Sequence, residues 1–181
     1  AVTGCLLVVA CETKSKMDSN EVAEEKNEAK FEGTAEKDAE FMADIAICNL
    51  SEVKTAELAA DRAKSTEVKE FASLMVDEHK KMYADNVNYA MKNNISIADT
   101  VARQDISGYE NLRNENGNEF DKKFINTMVD DHKKLIDKLE DISKSDKYNQ
   151  EINSMASQAL PKVRMHYDKA KDIQAKFDNK M

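Results

Sequence analysis

Glycine and proline are nearly missing: the 181 residues contain four and one of them, and no tryptophan at all. So few chain breakers leave little room for a turn-rich β architecture. Together with the abundance of Ala, Glu, Lys, Asp and Met, they point to long helices. Acidic residues outnumber basic ones, 35 to 27, for a formal charge of −8. That balance argues against non-specific nucleic-acid binding, and no basic stripe with interleaved aromatics occurs. No Gly-rich phosphate loop is present, and no Ser or Cys nucleophile stands in a recognisable setting, which argues against a hydrolase. The length is that of one domain with a real core.

The longest apolar run, residues 1–10 (AVTGCLLVVA), is too short to span a membrane and suits the apolar region of a secretory signal. Val8-Val9-Ala10-Cys11 resembles a bacterial lipobox, which would make Cys11 the lipidated residue of the mature chain. A plain signal peptide cut nearby, or a buried N-terminal helix, are the alternatives. Residues 11–33 read as a lipidated polar tether with too few apolar side chains to hold any transient helix. The tether would space a domain at residues 34–181 from a membrane surface. The expected address is the bacterial cell envelope, membrane-anchored and facing the periplasm or the cell surface. With Cys5 in the signal and Cys11 lipidated, Cys48 is left alone, so no internal disulfide is expected. Cys48 falls on the apolar side of its helix and reads as a small buried hydrophobe, with a metal ligand as the alternative.

Four long helices follow from the periodicity. The first runs from Thr34 or Glu36 to Ala63. The second is capped by Ser65-Thr66 and runs to Asn93. The third starts after an Asn118 cap and ends near Ile142. The fourth runs from Tyr148 to Phe177 and carries Pro161, which is expected to kink it. Residues 94–117 form a long connection with a short helix at Tyr109–Arg113, long enough to cross the length of a bundle or to wander over its surface. The expected architecture is an all-α antiparallel four-helix bundle with this long connection between helices two and three.

One stretch occurs twice, as Phe71…Met75-Val-Asp-Glu-His79-Lys-Lys and Phe124…Met128-Val-Asp-Asp-His132-Lys-Lys. At about 100° per residue both His fall inside the apolar arc of their helix. Glu78 and Asp131 lie at its edge, and Asp77, Asp130 and the Lys pairs point to water; the acids Asp77-Glu78 and Asp130-Asp131 read as solvating the bundle, with a weak divalent-cation site as the other reading. His166 lies near the centre of the apolar face of helix four. Glu52 lies about 20° from Phe41 on helix one, inside the arc, where Glu is rarely found without a partner.

Each helix thus carries one inward polar group: Glu52, His79, His132 and His166. At about 1.5 Å per residue Glu52 and His79 come to within about 5 Å of one level, whereas His132 and His166 differ by about 10 Å. Three imidazoles and a carboxylate converging mid-bundle make a transition-metal site for a single zinc, iron, nickel or copper ion. The other reading is a hydrogen-bonded polar core in which Glu52 pairs with one or two His and fixes helix register.

Taken in order, Phe41…Leu50-Ser-Glu52-Val-Lys…Leu58-Ala-Ala, Glu67-Val-Lys-Glu-Phe71-Ala…His79, Phe120-Asp121…Phe124…His132-Lys and Ala159-Leu-Pro161…His166 resemble the domain-of-unknown-function 4142 family over roughly residues 38–175. The resemblance implies a ferritin-like four-helix bundle and a bacterial outer-membrane or envelope protein without an agreed biochemical activity. Ferritin-like di-iron sites use Glu-x-x-His on two helices. Here the residue three before each His is Val76, Val129 and Val163, so that pattern is missing. Two functions stay open: an envelope lipoprotein that binds a transition metal in the bundle core, and a non-catalytic structural or protein-interaction module with a buried His/Glu core. The protein partner is left open in both.

Overall fold

The computed structural model describes residues 19–101 and 106–178. Among them helix is the only regular secondary structure, in six helices: α1 (Ser19–Glu28), α2 (Thr34–Arg62), α3 (Thr66–Asn93), α4 (Tyr109–Arg113), α5 (Gly117–Ser143) and α6 (Gln150–Asp178). The four long helices fall where the periodicity places them. Their starts are made differently, however. Ser65 and Asn116 precede α3 and α5 without a side-chain cap bond, and α5 begins at Gly117 rather than after Asn118. Gly117 has φ +60°, a left-handed turn that glycine adopts at no steric cost. α6 is continuous through Pro161.

α2 packs along α3 and α5 along α6, giving two helical hairpins. Their apolar faces share two core clusters. One is built around Phe71, Met75, Phe120, Phe124 and Ala170. The other is built around Met42, Tyr89, Leu139, Ile152 and Val163. The Phe71 and Phe124 rings lie 6.2 Å apart, and the His79 and His132 rings 5.8 Å apart. Phe71 to His79 and Phe124 to His132 are the same eight-residue step, so α3 and α5 run in the same direction. The connection after α3 therefore carries the chain back along the molecule before α5 begins. It also covers the second apolar side of α2: Val101, Ile106 and Tyr109 pack with Ile47, Leu50 and Leu58.

The parallel arrangement sets the start of each hairpin beside the turn of the other, and a buried carboxylate ties each junction. Asp121, the fifth residue of α5 and 1 % exposed, accepts the backbone N–H of Lys64 (2.9 Å) and of Ser65 (2.7 Å) in the α2–α3 turn. Asp38, the fifth residue of α2, accepts the backbone N–H of Asn149 (3.1 Å) and its side-chain amide (2.6 Å) at the α5–α6 turn. Asn149 in turn caps α6, its Oδ1 accepting the Ile152 N–H at 2.9 Å. Burial raises the Asp38 carboxyl above its usual range, against the opposing pull of its bonds to Asn149. The reciprocal latches fix the register of one hairpin on the other, and with it the level of the side chains between them.

The stretch expected as an unheld tether holds α1, which corrects that expectation over Ser19–Glu28. Only Ala23 and Asn27 are buried there, so apolar burial is not what retains it. Asn27 does so through its amide: Nδ2 donates to the Ser96 carbonyl and Oδ1 accepts the Ser96 N–H, both at 2.8 Å. Ser19 and Asp99 pair at 3.0 Å, and Lys30 reaches the Asn94 carbonyl. Cys11 and the apolar run before it lie outside the described residues. No helix of the described residues is long and apolar enough to cross a membrane.

Candidate metal centre

His79 on α3, His132 on α5 and His166 on α6 meet between the two core clusters. All three are buried, at 0, 1 and 0 % exposure. Their ring centroids form a near-equilateral triangle with sides of 5.8, 5.4 and 5.4 Å. One nitrogen from each ring lies within 4.8 Å of the others, close enough for one ion to reach all three. The level difference expected between His132 and His166 is absent. In both helices side chains lean toward the N-terminus. In the antiparallel α5–α6 pair that lean carries His132 away from the connecting turn and His166 toward it, and α6 starts at Gln150 rather than Tyr148, so both narrow the gap.

Each ring has one nitrogen bonded and one bare. His79 Nδ1 lies 2.8 Å from Asn49 Oδ1, whose own amide donates to the Ile45 carbonyl at 2.9 Å. That second bond turns the Asn49 oxygen toward the ring, so His79 Nδ1 is the donor. His132 Nδ1 faces the Met128 carbonyl at 2.9 Å and donates to it. His166 Nε2 faces the Glu78 carboxylate at 3.2 Å and donates to it. A neutral imidazole that donates through one nitrogen presents a lone pair on the other. Those others, His79 Nε2, His132 Nε2 and His166 Nδ1, are buried and have no hydrogen-bond partner. The cluster therefore offers three unused lone pairs. Oriented carbonyl, amide and carboxylate partners of this kind are what hold ligating histidines in place.

The surroundings of all three rings favour the neutral form. Burial and the neighbouring His132 and His166 hold His79 well below the usual imidazole range. Burial and His166 lower His132 to about 4. Burial also lowers His166, although the Glu78 carboxylate pulls the other way. Neutral rings bind a cation without first shedding a proton.

Of the four site residues read from the sequence, the structure gathers the three His. Glu52 does not join their cluster. It is 7 % exposed and lines a groove between α2 and α5 with Asp131 and Cys48. Burial, and then the charge of Asp131, push its carboxyl up to about 8. Cys48 is half-buried beside it, and burial followed by Glu52 pushes its thiol up to about 12. Two site residues escaped the sequence reading. Asn49 was missed because the arc on helix α2 was centred on Phe41. The buried Met42, Ala46, Asn49 and Val53 instead lie about 80–140° round from it. Glu78 stands at the arc's edge, its side chain 20 % exposed and shared between His166 and Lys162, the latter at 3.5 Å.

A di-iron centre does not fit these residues. The three buried nitrogens come without a carboxylate in the cluster, and Val76, Val129 and Val163 occupy the positions where Glu-x-x-His needs acids. A single ion of the borderline-soft first row suits three neutral imidazoles.

An all-helical fold with a buried triad of histidines is thus the class defined by the structure. The chain belongs to the family described as Domain of unknown function (DUF4142), whose model matches residues 23–173. Comparison with curated proteins and with solved structures finds no match.

Proposed function

We propose that this chain is a bacterial cell-envelope protein, anchored to a membrane through lipid on Cys11, whose ferritin-like antiparallel four-helix bundle binds one transition-metal ion on His79, His132 and His166. The observation that carries the metal reading is the set of three buried lone pairs, one per ring, without a partner. Leaving a buried polar atom unsatisfied costs about 1–3 kcal/mol each, and one cation at the centre of the triangle relieves all three. The parallel course of α3 and α5 across a long connection supports the ferritin-like topology, which has one such crossover. When bound, the ion would supply a Lewis-acidic centre with an open coordination position. The residues of the chain orient the rings, keep them neutral and exclude bulk water.

The test is metal content of the full chain purified without a histidine tag, followed by cobalt(II) loading. The expected result is close to one ion per chain, a ligand-field spectrum of nitrogen coordination, and loss of both in His79→Gln and His132→Gln. A ligand at a hundredfold over its Kd adds about 2.7 kcal/mol of stability, visible as a rise in melting temperature. If no ion is retained, and zinc, iron, nickel, copper and cobalt leave the melting temperature unmoved, the triad is a structural polar core and the protein an interaction module.

A further inference from the structure

The groove between α2 and α5 is a second polar site, outside the imidazole triangle. It encloses about 390 Å³ and is lined by Ser51, Glu52 and Thr55 from α2 and by Thr127 and Asp131 from α5. Two of these five groups have partners. Thr127 donates to the Lys123 carbonyl at 3.0 Å. Asp131 pairs with Lys134 at 3.2 Å, and Lys138 is taken by Asp44 at 2.8 Å. Of the other three, Glu52 is the one with an oxygen both shut off from water and without a partner. It is more than nine-tenths buried, lines the groove, and its Oε2 has no hydrogen-bond partner.

A buried carboxyl oxygen without a partner is costly, and the Asp131 charge nearby adds to the cost of ionising it, which a cation held between the two removes. Neither rim lysine relieves it, because both are bonded to other acids. Apart from the Cys48 thiol, which its surroundings keep protonated, the donors facing the groove are carboxylates and hydroxyls, the oxygen set that hard divalent cations take. We propose that Glu52 and Asp131 together hold a hard divalent cation of the manganese, magnesium or calcium kind in this groove, as a site separate from the three imidazoles. The ion takes up the bare Glu52 oxygen and displaces Lys134 from Asp131. The two sites stand back to back. Asn49, one turn before Glu52, holds His79, and the carbonyl of Met128, one turn before Asp131, holds His132. The proposal goes beyond the imidazole reading and does not depend on it.

The test is manganese(II) binding to the full chain, followed by electron paramagnetic resonance of the free ion, in wild type, Glu52→Gln, Asp131→Asn and His132→Gln. The expected result is one bound manganese per wild-type chain, at least tenfold weaker binding in Glu52→Gln and Asp131→Asn, and unchanged binding in His132→Gln. Asp131 is about half exposed. Its variant therefore decides the matter alone if Glu52→Gln does not fold. No manganese bound to wild type overturns the proposal, as does wild-type affinity in the carboxylate variants, which places the ion on other surface acids. Loss of manganese in His132→Gln also overturns it, because a single mixed site then explains the data. Cobalt absorption reads the imidazole site separately: manganese binding without cobalt coordination sinks the imidazole reading and leaves this one standing.

Discussion

Replacing Asp121 with alanine removes both acceptors that tie the α2–α3 turn to the start of α5. The carboxylate is 1 % exposed and receives the Lys64 and Ser65 N–H groups at 2.9 and 2.7 Å. Hydrogen bonds to a charged group contribute about 1.5–3 kcal/mol each, which for two gives roughly 3–6 kcal/mol. Lys64 is exposed and Ser65 half-buried, so water reaches the freed donors and returns part of that sum. A loss of about 2–4 kcal/mol remains, a large share of the stability of a domain this size. Asp121→Asn keeps one acceptor oxygen and should lose about half as much. The assay is urea unfolding followed by circular dichroism, with the slope against denaturant unchanged and the midpoint lowered. An Asp121→Ala variant within 0.5 kcal/mol of wild type, a bound set by ordinary surface substitutions, would refute the view that this carboxylate holds the two hairpins together.

Metal-free protein should be most stable near pH 6.5. His132 falls from 6.5 unfolded to about 4 folded, so its contribution is present above 6.5 and lost as pH drops toward 4, about 3 kcal/mol at roughly 1.4 kcal/mol per pH unit. His79 acts in the same direction. Glu52 runs oppositely: its carboxyl rises from 4.5 to about 8, so its contribution is complete below 4.5 and lost as pH climbs toward 8. Between 4.5 and 6.5 the histidines outnumber it; above 6.5 it acts alone. Urea midpoints with a chelator at pH 5, 6.5 and 8 check this, and a midpoint that keeps rising from 6.5 to 8 contradicts it. Glu78→Gln leaves His166 with a weaker acceptor and should lower cobalt affinity by about 10–100-fold with little change in metal-free stability; an unchanged affinity would show that Glu78 does not orient the ring. Cys48 should react with a disulfide reagent at pH 7 far more slowly than after denaturation, since its thiol is pushed to about 12. Equal rates would contradict the burial argument.

The four long helices, their approximate ends and the three histidines were legible because each depends on local periodicity. Phe71, Met75 and His79 repeat on α3 as Phe124, Met128 and His132 do on α5, and the arc that buries one buries the other. What depended on contacts between elements was not legible. Asp38 and Asp121 each look like an ordinary acid near the start of a helix, and their partners sit 111 and 56 residues away or more. α1 is polar enough to read as unheld, and its anchor is an asparagine amide matched to one backbone residue of the later connection. Glu52 was correctly placed on a buried face, but a wheel gives an angle and not a neighbour, so it could not separate the imidazole cluster from the groove beside it.

The two latches also bear on how the molecule assembles. Each turn keeps backbone or amide donors that only the opposite hairpin satisfies, so neither hairpin is a finished unit on its own. A chain cut in the connection after α3 would yield two halves with frayed corners and, between them, half a site each: His79 on one, His132 and His166 on the other. Docking closes both corners and brings the imidazoles together in one event. Occupancy of the proposed centre would then be a readout of whether the two halves of the chain have found each other.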